Sequence, residues 1–148
     1  MFRVFVGGES LERAGSGAIW GNVWLEFDGK SFPHWRWNDM VVPYLTALTE
    51  GVEDASAGGA ARVMFFDGPF WVDIRAKAGA LEVSPGGGGA DLPSCIEETT
   101  SLAADVLAVG RLVVERCESE GWGDDDDVRA LRSALRRLAE QCRSAAEN

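Results

Sequence analysis

Histidine is almost missing from this chain: His34 is the only one in 148 residues. That excludes zinc sites built on two or more imidazoles and any mechanism that needs a histidine pair. Cysteine is scarce and unfavourably spaced. Cys95, Cys117 and Cys142 form no C-x-x-C pair and leave an odd thiol, which argues against a disulfide framework and fits a reducing, cytoplasmic setting. No apolar run approaches the roughly 18 residues of a membrane span. The opening Met1-Phe2-Arg3-Val4-Phe5-Val6 is too short for a signal-peptide apolar region before Gly7-Gly8-Glu9 interrupts it. A positive balance is also missing. The net charge of −10 repels phosphate backbones, disfavours nucleic acid, and would steer a basic protein inward.

Phosphate and metal motifs are incomplete in the same way. Gly86 to Gly89 lie between an apolar run and a helical pattern, yet no Gly-Lys-Ser/Thr follows, so no P-loop is expected. Asp91 stands where a dinucleotide fingerprint needs its third glycine. The segment therefore reads as a linker. Asp124 to Asp127 are consecutive carboxylates without the alternation or central glycine of a calcium loop. They suit the start of a helix, where a cap and a negative charge are both favourable. Neither a metal nor a cofactor is expected.

What the sequence does contain is periodicity. Phe2 to Val6 reads as a short strand and Gly7 to Gly17 as a loop. From Ala18 to Phe27 the residues alternate, with Ile19, Gly21, Val23, Leu25 and Phe27 on one face and Trp20, Asn22, Trp24 and Glu26 on the other. Asp28-Gly29 is a hairpin turn and Lys30 to Phe32 the return strand. After Pro33, Asn38 or Asp39 would cap a helix carrying Val41, Tyr44, Leu45, Leu48 and Val52 at helical spacing. Glu53 to Ala61 reads as a loop. Arg62 to Phe66, Phe70 to Arg75 and Ala80 to Ser84 read as a three-strand meander. Ser94 and Glu97 form a capping box that would open a helix, placing Cys95 in its first turn. A second helix follows Asp124 to Asp127, with Val128, Leu131, Leu135, Leu138 and Cys142 on its apolar stripe. In an antiparallel pair of these helices Cys117 and Cys142 lie about 20 Å apart, too far for a disulfide.

The expected fold is α+β in a single domain over 1–148. An antiparallel sheet of about five or six strands carries one helix between its strands, and a C-terminal antiparallel helix hairpin packs on one face. Residues 1–84 form the sheet part, 85–93 the glycine-rich connector and 94–146 the hairpin.

Six tryptophans in 148 residues is the most informative positive feature. Trp20 and Trp24 share a strand face with Glu26, and Trp35, Trp37 and Asp39 follow nearby. One reading is a second small core beneath the loop; the other is an exposed surface anchored by indoles.

Two stretches carry a family resemblance. Trp24-Leu25-Glu26-Phe27-Asp28-Gly29-Lys30-Ser31-Phe32-Pro33, followed by Trp37-Asn38-Asp39, is the first; Phe65-Phe66-Asp67-Gly68-Pro69-Phe70 is the second. The arrangement is similar to a group of small bacterial proteins, common in actinobacteria, that read W-L-x-x-D-G-x-x-F-P, then W-x-D, and later F-x-D-G-P. The resemblance spans about residues 18–84 and, weakly, the helical tail. These proteins look like small acidic immunity proteins that neutralise toxins. The resemblance implies a fold and a binding role, and it carries over no catalytic residue.

Three functions remain open. The first is a non-enzymatic domain that occludes a basic protein partner, with Trp20, Trp24, Glu26, Trp35, Trp37 and Asp39 on the binding face. The second is an enzyme or small-ligand binder using His34, Asp39 and Cys95 in a tryptophan-lined pocket. The third is an oligomeric module, a homodimer through helices presenting Leu131, Leu135 and Leu138. Neither nucleic acid nor a membrane is expected as a partner.

Overall fold

A nine-residue run that alternates strictly in burial anchors the architecture. In the computed structural model, which describes residues 1–147, this run is strand β2 (Ile19–Phe27), with Ile19, Gly21, Val23, Leu25 and Phe27 buried and the residues between them half-buried. Strand β1 (Phe2–Arg13) precedes it. The Asp28-Gly29 turn returns the chain as β3 (Lys30–Phe32), pairing Phe27 with Lys30 and Leu25 with Phe32. Asp28 and Gly29 both take positive φ, 50° and 82°, as a two-residue type I′ turn requires.

β1 is longer than its sequence pattern predicts. The segment from Gly7 to Arg13, expected as loop, stays with β2 through a register shift between Gly7 and Glu12. Ser10 carries the chain across that shift. Its hydroxyl donates to the Gly7 carbonyl and accepts the Asn22 N–H at 2.8 Å, satisfying backbone groups that the bulge leaves unpaired. Asn38 and Asp39 are also not helix caps. They belong to a short strand, β4 (Asn38–Met40), which pairs with β2, and helix α1 (Val41–Ser56) starts directly after it. Pro43 is the third residue of α1, where its missing N–H has no helical partner to lose.

The second half builds its own antiparallel sheet, in the order β5 (Ala60–Met64), β6 (Phe70–Lys77), β7 (Ala80–Gly87) and β8 (Cys95–Glu97). The described residues thus form eight strands in two sheets of four, not five or six strands in one. The glycine run is partly strand and not a free connector. Gly86 and Gly87 pair with Trp71 and Phe70, and the aromatic rings lie so close to Gly86 and Gly88 that a Cβ would collide with them. The expected capping box is not used either. Pairing of Leu81 with Glu97 and of Val83 with Cys95 draws that segment into the sheet. Helix α2 (Thr99–Ser119) begins after it, and Cys95 is a buried strand residue.

Helix α3 (Asp126–Glu147) packs on α1 and α2. Its buried face is Val128, Leu131, Ala134, Leu135 and Leu138, so the helical stripe that could have served a homodimer is occupied within the chain. Asp125 opens the helix by accepting the Asp127 N–H at 2.9 Å, the capping role expected of the aspartate run. No helix among the described residues is long and apolar enough to cross a membrane.

An aromatic cluster ties the two sheets together. Phe32 meets Phe65 and Phe70 edge-on, with centroids 6.1 and 5.7 Å apart, and Tyr44 of α1 stacks on Phe65 at 4.2 Å. Such pairs add about 0.5–1.5 kcal/mol each beyond their area burial. Phe27, Phe32 and Trp37 of the first sequence stretch that carries the family resemblance therefore meet Phe65 and Phe70 of the second at one place.

Candidate functional site

Because β2 turns Ile19, Val23, Leu25 and Phe27 inward, Trp20, Asn22, Trp24 and Glu26 line the outer face of the first sheet, all half-buried. Register fixes their neighbours. Trp24 lies opposite Phe5 of β1, and the two rings stack with centroids 5.5 Å apart. Glu26 lies between Arg3 and Ser31, and Trp20 between Glu12 and Met40. The Trp24 indole N–H is sealed from solvent without an acceptor among the described residues, at a cost of about 1–3 kcal/mol for a buried donor.

The loop between β3 and β4 extends this surface. Trp35 is 60% exposed, and the Arg36 guanidinium sits over its ring, 5.5 Å from the centroid. Arg36 holds φ at +56°, the left-handed region that costs a non-glycine residue about 1–2 kcal/mol. Asn22 fixes the loop there. Its side-chain amide donates to the Arg36 carbonyl at 3.0 Å, and its side-chain oxygen accepts the Arg36 Nε–H at 3.4 Å. Arg36 also lies 3.6 Å from Glu9 of β1. Backbone strain is thus used to hold an exposed indole beside the sheet face.

An acidic rim borders the Trp20 end. The turn before β2, at Ser16, Gly17 and Ala18, shares a shallow depression with Asp124 to Asp127. Arg13 joins the two by pairing with Asp125 at 3.3 Å. Asp125 turns inward to this arginine, while Asp124, Asp126 and Asp127 are exposed. The described residues contain no group of three or more His, Cys, Asp or Glu placed to hold a metal ion.

The structure separates the expected site residues into two groups. Trp20, Trp24, Glu26 and Trp35 share the outer surface. Trp37 and Asp39 do not belong to it. Trp37 is half-buried edge-on to Phe70, with centroids 5.3 Å apart, and its indole N–H donates to Asp39 Oδ2 at 3.1 Å. Asp39 is fully buried. It also accepts the Met40 N–H at 2.7 Å through Oδ1 and the Asp67 N–H at 3.2 Å through Oδ2. Asp39 is therefore a clamp between the W-x-D and F-x-D-G-P stretches. Sequence reasoning missed this role because the two partners lie 28 positions apart.

His34, Asp39 and Cys95 are not brought together as a reactive set. His34 is exposed, with Nδ1 3.0 Å from the Trp35 carbonyl oxygen. Cys95 is buried in β8, and its thiol faces Asp28 at 3.9 Å. Phe5 and Arg36 complete the surface and were not among the expected residues. Phe5 had a signal in the alternation of β1; Arg36 had none, because its role depends on the loop conformation.

A second charged surface lies on the helices. Arg111, Arg132, Arg136 and Arg143 outnumber Glu115 and Glu118 in a groove of about 410 Å³ between α2 and α3, where Arg132 pairs with Glu118 at 3.4 Å. The chain matches no family model, no curated protein and no solved structure.

Proposed function

We propose that this chain is a non-enzymatic protein-binding domain whose contact surface is the outer face of the first sheet. Trp20, Trp24 and Trp35 are the anchors, Phe5, Glu26 and Arg36 surround them, and a basic protein is the partner. The observation that carries the reading is a strained loop, hydrogen-bonded to Asn22 of the outer sheet face, that holds Trp35 60% exposed. Aromatic side chains kept partly in water and fixed in place are the usual anchors of interfaces. The acidic rim at Asp124 to Asp127 and the net charge of −10 favour a basic partner and speed its encounter. The resemblance to small acidic immunity proteins gives the finer reading: the partner is a toxin, and binding occludes it.

The test is affinity capture from a lysate of the source organism with the wild-type chain and with a Trp20→Ser/Trp35→Ser variant. The reading expects a basic protein on the wild type only. Its retention should fall steeply with added salt, as the screening length shrinks from about 10 Å at 0.1 M to about 3 Å at 1 M. Equal retention by the variant would remove the sheet face as the binding surface.

A further inference from the structure

β1 is an edge strand, and β2 is its only ladder partner among the described residues. One end of that edge is closed by carboxylates. The Phe2 N–H donates to Glu97, and the Val4 N–H donates to Asp105 Oδ2 at 3.1 Å. Hydrogen-bonding direction alternates along an antiparallel strand, so the N–H and C=O of Val6 point outward as those of Val4 do. Among the described residues no side chain reaches Val6 as Asp105 reaches Val4. The outward groups open into a groove of about 650 Å³ between β1 and α2, lined by Val6 and Gly8 on the strand and by Val109 and Leu112 on the helix. Leu112 is 66% exposed, and nothing lies within 4 Å of where a Cβ on Gly8 would sit.

An unpaired strand edge is normally blunted by charge, proline or a covering element. Here the blunting stops at Val4, and an apolar helix flank faces the open part. Backbone groups on one wall and apolar side chains on the other are what an added strand uses: main-chain bonds for affinity and pockets for alternate side chains. Charge selects the occupant. Arg116 on the helix wall is already paired with Glu120 at 3.2 Å, and Glu9 on the strand wall is paired with Arg36 at 3.6 Å. Glu115, which also borders the arginine groove between α2 and α3, is the wall's charge without an ion-pair partner among the described residues, in a molecule of net −10.

We propose that this groove is a second protein-binding site, in which an extended basic segment of a partner adds as a strand to β1 at Val6 and rests its alternate apolar side chains on Val109 and Leu112. The site does not depend on the sheet-face reading; the two surfaces adjoin at Phe5 and at the Glu9–Arg36 pair. A second copy of this chain is a poor occupant, because both copies carry −10. The register shift after Gly7 keeps the ladder short and the binding weak and reversible.

The experiment is amide hydrogen exchange on the full chain with a short, end-blocked peptide of alternating valine and lysine. Its valine–glutamate counterpart and a backbone N-methylated version serve as controls. The expected result is saturable slowing at Val6 and Gly8 by about tenfold with the lysine peptide and with neither control. Leu112→Ser should abolish the slowing without moving the unfolding midpoint, since the side chain is largely in solvent. Unchanged exchange at Val6 with the lysine peptide overturns the proposal. So does slowing that follows the protein's own concentration, with a dimer in sedimentation, because the occupant is then a second copy.

Discussion

Asp39 is fully buried, and its carboxylate accepts hydrogen bonds from Trp37, Met40 and Asp67. Asp39→Ala takes the buried acceptor from three part-buried donors, and we expect a loss of about 2–4 kcal/mol in denaturant unfolding; a loss near zero would contradict the clamp. Tyr44 is the opposite case. Its hydroxyl is buried without a partner among the described residues, so Tyr44→Phe should cost less than about 1 kcal/mol or stabilise the chain. Burial, and then the Asp39 charge, push the Tyr44 phenol well above its ordinary value. An acid whose folded value is raised contributes stability that is complete below its unfolded value, about 10, and is lost as pH rises beyond it. Alkaline destabilisation should therefore be shallower in Tyr44→Phe, as measured by unfolding free energy against pH. At Arg36, Arg36→Gly should relieve the positive φ and raise stability by up to about 1 kcal/mol. It should also lower capture of the partner, because Trp35 then loses both its fixed loop and its cation.

Among the elements, those with a long period or a clear turn signal were legible, as β3 was from Asp28-Gly29, and the short ones without either were not. β2 showed nine alternating residues, and α1 and α3 showed stripes at helical spacing. β4 and β8 are three residues long, too short to display a period. β1 past Gly7 depends on Ser10 reaching Asn22, and Gly86 to Gly88 depend on the rings of Phe70 and Trp71. Local sequence records neither contact. Ser94 and Glu97 carried a true helix signal that strand pairing overrode. The same logic explains the site: the alternation that put Trp20, Trp24 and Glu26 on the outer face was readable, while the burial of Asp39 required knowing where Asp67 would be. The thiols offer a check on the helix packing. Burial first, then the nearby Asp125, Glu118 and Glu120 charges, raise the Cys117 thiol to about 11. Cys142 is half-buried. A thiol reagent at neutral pH should modify Cys142 first and leave Cys117 until the chain unfolds. Early labelling of Cys117 would contradict the packing of α3 on α2.

For the whole molecule, the net charge of −10 conceals an uneven distribution. The groove between α2 and α3 collects arginines, while the aspartate run sits beside the start of β2. The aromatic surface and the basic groove are thus different faces with opposite preferences for a partner, and the functional reading depends on which one is used. Hydrogen-exchange footprinting of the captured complex decides this most directly. The account predicts protection of β2 and of residues 34–37 on binding, with the α2–α3 groove unchanged. Protection confined to Arg111, Arg132, Arg136 and their neighbours would contradict it and would place the function on the helices.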